Sequence, residues 1–87
     1  MEFLFKDEAE DDFDFWYRND KLIIKKIEFL LQSMKETPFS GIGHPKALKE
    51  TLFGYWSRRI NREHRIVYPV EGDIITIYSL RGHYSNK

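Results

Sequence analysis

Between Tyr55 and Tyr68 the chain reads YWSRRINREHRIVY, with Arg58, Arg59, Arg62 and Arg65 set around Glu63; the C-terminal tail, RGHYSNK, carries Arg81, His83 and Tyr84. Guanidinium groups at this density suit a phosphate, because each offers a planar fork of donors that matches two oxygens at once. RNA can be cut without a metal when its own 2′-hydroxyl attacks the neighbouring phosphate. That chemistry needs a base for the hydroxyl, cations for the charge that builds on the phosphorane, and an acid for the leaving 5′-oxygen. Arginine supplies the cations. His83 suits the acid, since imidazole titrates near neutrality. Tyr84 and Trp56 offer ring faces on which a base can stack. The same arginines also fit a solvated strand face or a protein-binding surface, and residue types alone leave all three open.

Other chemistries lack their residues. His44, His64 and His83 lie far apart with no HxxxH, so no metal site is expected. The absence of cysteine removes thiolate nucleophiles and disulfides and fits a reducing compartment. There is no P-loop, the GIG at 41–43 is short of a dinucleotide-binding glycine pattern, and the serines carry no local nucleophile signature. No cofactor is expected. No run approaches the roughly 18 apolar residues of a membrane span, and the acidic opening MEFLFKDEAEDD is unlike a secretory leader. The expectation is a cytoplasmic protein with no membrane partner.

Zero net charge hides an asymmetry. Residues 1–20 hold eight acids against Lys6 and Arg18, while residues 42–68 hold six bases against Glu50 and Glu63. Either the basic part faces a polyanion or the two regions neutralise each other.

The elements that must position these groups follow from periodicity. Eighty-seven residues, 41% hydrophobic and 16% aromatic, predict one domain spanning 1–87 with a modest core. EFLFK predicts a first strand. Asp7 then offers an N-cap, and Ala9, Phe13 and Trp16 recur at helical spacing. Asp20 can cap a second helix, whose apolar stripe is Ile23, Ile27, Leu30, Leu31 and Met34, ending before Pro38. PFSGIGHP predicts a loop and PKALKE a single helical turn. YWSRRI, HRIVYPV and DIITIYSL predict strands joined by turns at NRE and EGD. Pro69 belongs at an edge, at a bulge or in an unpaired place. The sum is an α+β fold, β-α-α-β-β-β, with two N-terminal helices on one face of a twisted antiparallel sheet. Alternation sends Tyr55, Ser57 and Arg59 to one face and Trp56, Arg58 and Ile60 to the other; Arg65 and Val67 likewise oppose His64, Ile66 and Tyr68. Arginines on the uncovered face, near the tail, would form a cationic concavity.

The run TPFSGIGHPKALK…LFGYWSRRINREHRIVY, the terminal HY and the N-terminal DDFDFW…DK…KKI closely resemble the YoeB-type (Txe) toxins of bacterial toxin–antitoxin modules, in the RelE superfamily. The likeness covers nearly the whole chain. It implies a microbial-RNase-like fold and ribosome-dependent cleavage of mRNA in the decoding site, hence contact with 16S rRNA. It also implies inhibition by a YefM-like antitoxin whose extended segment wraps the toxin, and a homodimer in many members. By resemblance His83 is the general acid, Tyr84 orients the tail and the scissile nucleotide, and Arg65 binds the scissile phosphate. Arg59 and Glu63 belong to the same site, with Glu63 able to pair an arginine and hold its fork. Lys49 matches a basic residue that contacts RNA; Arg81, in the tail, is expected to bind RNA as well, without a family match of its own. For Arg58 and Arg62 the resemblance gives no catalytic role, leaving a phosphate or rRNA contact, or solubility.

One position departs from the pattern. The family reads GxPEPLK or GxPEALK, with the glutamate as general base, whereas this chain reads GHPKALK, with Lys46 in its place. Three readings compete. Lys46 is the base, its ordinary value of about 10.4 lowered by Lys49, Arg59 and Arg65. Or Glu63 or Glu50 takes the proton, although Glu50, four residues on, can instead pair with Lys46 on a helical turn. Or the enzyme is weakened or inactive and serves as the antitoxin's binding partner.

Overall fold

The computed structural model describes residues 1–82. Strand β1 (Glu2–Phe5) leads into helices α1 (Asp7–Asn19) and α2 (Lys21–Glu36). A short strand β2 (Lys46–Ala47) and a 3-10 turn (Glu50–Leu52) precede β3 (Tyr55–Arg59), β4 (Arg65–Glu71) and β5 (Ile74–Ile77). The sheet order is β1-β5-β4-β3-β2. The helices cover one face. Ala9 and Trp16 of α1 and Ile24, Ile27, Leu30 and Met34 of α2 pack there on Ile60, Ile66, Tyr68, Ile75, Ile77 and Leu80. Each large apolar side chain buried this way contributes about 1.5–3 kcal/mol.

Four local expectations change. The N-cap of α1 is Lys6, without a side-chain bond, and Asp7 joins Glu8 and Glu10 inside the first turn, where the helix dipole favours acids. Asp20 caps α2 as its type suggests, accepting from the amides of Leu22 and Ile23 at 3.1 and 3.4 Å. On α2 the buried stripe includes Ile24, while Ile23 and Leu31 sit at its half-buried margins. The sheet is antiparallel except at one edge, where β1 runs parallel to β5 from Glu2↔Ile74 to Phe5↔Ile77. Hydrophobic alternation is the same in either direction, and only the long path through α1, α2 and the hairpins lets the first strand return parallel to the last. PKALKE forms no helical turn: Lys46 and Ala47 pair with Ser57 and Trp56, and the Leu48 amide donates to the Tyr55 carbonyl. The extended backbone separates Lys46 from Glu50, which removes the i,i+4 pairing.

A bulge sets the course of the C-terminal segment. Val70↔Ile75 pairing gives way to a single bridge at Val67↔Ser79, so Tyr78 and Ser79 together oppose Val67. Unbroken alternation from Ile75 and Ile77 would turn Leu80 outward. The extra residue turns it inward, and Leu80 is fully buried in the core. Pro69 lies where the ladder to β5 is interrupted, while its other side faces Tyr55.

Arg58 belongs to the core. It is fully buried on the helix-covered face. Its Nε donates to the Tyr68 hydroxyl at 3.0 Å, and Nη1 to Ser33 Oγ at 2.7 Å and the Ile42 carbonyl at 3.1 Å. Nη2 donates to the carbonyls of Thr37 and Ser40. Neither a nucleic-acid contact nor solubility accounts for this arginine. It gathers the loop of residues 37–42, whose carbonyls have no helix or strand to pair with.

Candidate active site

Residues directly opposite in an antiparallel pair share a face. The β3–β4 register sets Arg59 against Arg65 and Ser57 against Val67, and β2 sets Lys46 against Ser57. Lys46, Ser57, Arg59 and Arg65 therefore lie together on the face that the helices leave open. Arg59 is held by its amide, which donates to the Gly43 carbonyl at 2.7 Å. Gly43 has φ +84°, and a Cβ there would fall 2.6 Å from Leu30 Cδ2, so only glycine allows this approach.

Two guanidinium groups face to face repel, and like charges directly opposed across a ladder are destabilising. Arg65 is half-buried, with Nη1 3.4 Å from Ser57 Oγ. Burial, and then the Arg59 charge, hold its pKa below the ordinary arginine value. It remains a cation, since arginine is not deprotonated in proteins. Glu63 does not relieve the repulsion. It is exposed at the hairpin tip and makes no ion pair among the described residues. The turn is built instead by Asn61, whose Oδ1 accepts from the amides of Glu63 and His64 at 2.9 and 2.8 Å. The outcome is a pair of neighbouring cations without a counter-charge among the described residues, an arrangement that an anion such as a phosphate can stabilise by binding.

The other expected contacts divide. Trp56 lies on the opposite face, half-buried and 4.9 Å from the Phe39 ring, so it does not join the arginines as a stacking platform. Among the described residues, Tyr55 and Tyr78 bring rings to the arginine side, edge to face at 5.0 Å. Arg81 lies over the Phe15 ring of α1, 3.7 Å from its centroid, on the helix side of the molecule. Lys46 and Lys49 are exposed, Lys49 in extended backbone just after β2. His83 and Tyr84 lie outside the described residues.

The chain nevertheless arrives beside Arg65 one residue before His83. The Arg65 amide donates to the Gly82 carbonyl at 3.0 Å, and the Gly82 amide donates to His64 Nδ1 at 3.0 Å. His64 and Asn61 were legible in the sequence only as neighbours of arginines, because their bonds run to residues that the turn and the tail bring to them. Among the described residues no cluster of His, Asp and Glu could hold a metal ion, and no helix is long and apolar enough to cross a membrane.

A family model for the YoeB-like toxin of bacterial type II toxin–antitoxin systems matches residues 5–84. Toxin YoeB of Escherichia coli K12 is 45% identical over 84 residues, covering 97% of this chain and all of that protein. Among solved structures, the YoeB dimer from Staphylococcus aureus superposes with a TM-score of 0.90 at 44% identity, covering 97% of this chain and 98% of the other. The toxin chain of the heterotetrameric YoeB–YefM complex from the same organism gives 0.88 at 44% identity, covering 94% and 95%.

Proposed function

This chain belongs to the YoeB-like toxins of bacterial type II toxin–antitoxin systems, and on that premise we propose that it is a ribosome-dependent endoribonuclease that cuts mRNA and blocks translation in the cytoplasm. The observation that carries this reading is the Arg59–Arg65 pair on the open face, with the tail leading to His83 bonded to the Arg65 backbone. Arg65, partly desolvated, binds the scissile phosphate and stabilises the charge of the phosphorane. Arg59 adds a second cation, and Lys49 contacts the RNA or the 16S rRNA beside it. The 2′-oxygen forms its bond to phosphorus as the bond to the 5′-oxygen breaks. A base removes the 2′-proton, and His83 protonates the leaving oxygen while Tyr84 orients the nucleotide. Lys46, on the same face, is the candidate for taking the 2′-proton, with Glu63, at the hairpin tip, and Glu50 as the alternatives. A YefM-like antitoxin neutralises the open face, and the toxin pairs with a second copy of itself. Both assemblies are supported by the solved relatives.

Purified protein should cut mRNA on programmed ribosomes much faster than the same RNA free in solution. His83→Ala and Arg65→Ala should each lower that rate about 10²–10³-fold with the fold unchanged by circular dichroism. Full activity in both variants would refute the site.

A second reading has its own observation in Lys46, which stands where the family pattern has its glutamate. In that reading the protein is a weakened enzyme whose open basic face serves antitoxin binding and operon autorepression. It predicts harmless overexpression together with tight antitoxin binding.

A further inference from the structure

The segment before the tail is held more tightly than its length requires. The Leu80 amide donates to Asp12 Oδ2 at 2.9 Å, and Trp16 Nε1 donates to the Leu80 carbonyl at 2.9 Å. Two residues on, the Gly82 amide donates to His64 Nδ1 and the Gly82 carbonyl accepts from Arg65. The acidic, aromatic DDFDFW stretch of α1 is thus one jaw of a clamp, and the start of β4 is the other. Asp12 is buried for this purpose, at 8% exposure. The His64 ring is set edge to face against Trp16, with centroids 4.8 Å apart. An imidazole that accepts at Nδ1 carries its proton at Nε2, so the neutral tautomer with a free Nδ1 lone pair is the one that fits. Gly82 itself has φ +98°, a backbone state that other residues rarely adopt.

Leu80 alone would dock this segment, since its side chain is in the core. The His64 bond lies beyond the core and fixes only the peptide unit from which the chain continues to His83. We propose that His64 is a positioning residue for the reaction: through Nδ1 it holds the Gly82 amide, the backbone unit from which the chain continues to His83, while Trp16 packs edge to face against its ring. This rests on the nuclease reading above. One hydrogen bond is a small part of a fold's stability, but a displacement of about 1 Å in a catalytic group costs about 10²-fold in rate. The bond therefore matters far more to turnover than to folding.

Two variants separate the acceptor from the ring. His64→Phe keeps a ring against Trp16 and removes the acceptor, whereas His64→Asn places an oxygen near Nδ1. On programmed ribosomes the Phe variant should lose about 10- to 100-fold in kcat with KM little changed, and the Asn variant should recover most of the loss. In parallel, amide hydrogen exchange at Gly82 should speed up in the Phe variant and stay slow in the Asn variant. Wild-type kcat in a folded Phe variant, equal losses in both variants, or an unchanged Gly82 exchange rate would each overturn the role. Should the Phe variant fail to fold, His64→Gln, which moves the acceptor to the Nε2 position, carries the same expectations. A wild-type protein that cuts no RNA removes the reaction and this role together, whereas cleavage by wild type and Phe variant at equal rates removes this role alone.

Discussion

Arg58 and Arg59 are adjacent in the chain and opposite in fate. Arg59 faces solvent and a second arginine, while Arg58 is fully buried beneath five donated hydrogen bonds. Arg58→Ala would leave three carbonyls and two hydroxyls short of a partner. At about 0.5–1.5 kcal/mol for each of the hydrogen bonds lost, urea unfolding should show a loss of about 3 kcal/mol or more. Arg59→Ala should change stability by less than about 0.5 kcal/mol, or raise it by relieving the repulsion with Arg65. Lys46 poses the complementary question, because it is exposed on the open face opposite Ser57, where a charge of either sign can be accommodated. Lys46→Glu should raise cleavage on programmed ribosomes if the native site lacks an effective base, by as much as the ~10²–10⁴-fold that such a group supplies. A fall of similar size would instead identify Lys46 as the base.

At the scale of elements, β4 ties the two sides of the molecule together. Its open-face residue Arg65 reaches Ser57, and its covered-face residue Tyr68 accepts from Arg58 and donates its hydroxyl to the Pro38 carbonyl at 3.0 Å. Burial raises the Tyr68 pKa above the ordinary 10.0, outweighing the opposing hydrogen bond and charge of Arg58. A group whose folded value is raised stabilises the fold fully below its unfolded value and loses that contribution as pH rises through the folded one. Stability measured by denaturant should therefore decline above pH 10.0, and Tyr68→Phe should flatten the decline. The hairpins and the αα pair were legible because turn residues and the 3.6-residue period are local signals. The two-residue β2 was not, since its pairing with Ser57 and Trp56 depends on a loop that Arg58 gathers from the interior. The bulge at Tyr78–Ser79 was equally hidden, because a single extra residue leaves no trace in composition.

Taken whole, the molecule gathers cations on its open face, where Lys46, Arg59 and Arg65 share one side of the sheet. A surface of this kind is steered to a polyanion in a salt-dependent way. Binding to a programmed ribosome should weaken as salt rises, and Arg59→Ala should lower the slope of log affinity against log salt by about 0.7, the share of one phosphate contact on a single strand. The sequence by itself determined the α+β class, the two helices, the three long strands and the arginines on the open side, because period and alternation are properties of neighbours along the chain. It also displayed the family motif and its one departure at Lys46. Only the tertiary structure decided that β1 runs parallel to β5, that Arg58 is a buried anchor, that Trp56 turns away from the site, and that Asp12, Trp16 and His64 close on the segment before the tail. Those outcomes depend on which distant backbone groups meet, and a linear pattern does not record whether an arginine will find five acceptors or none.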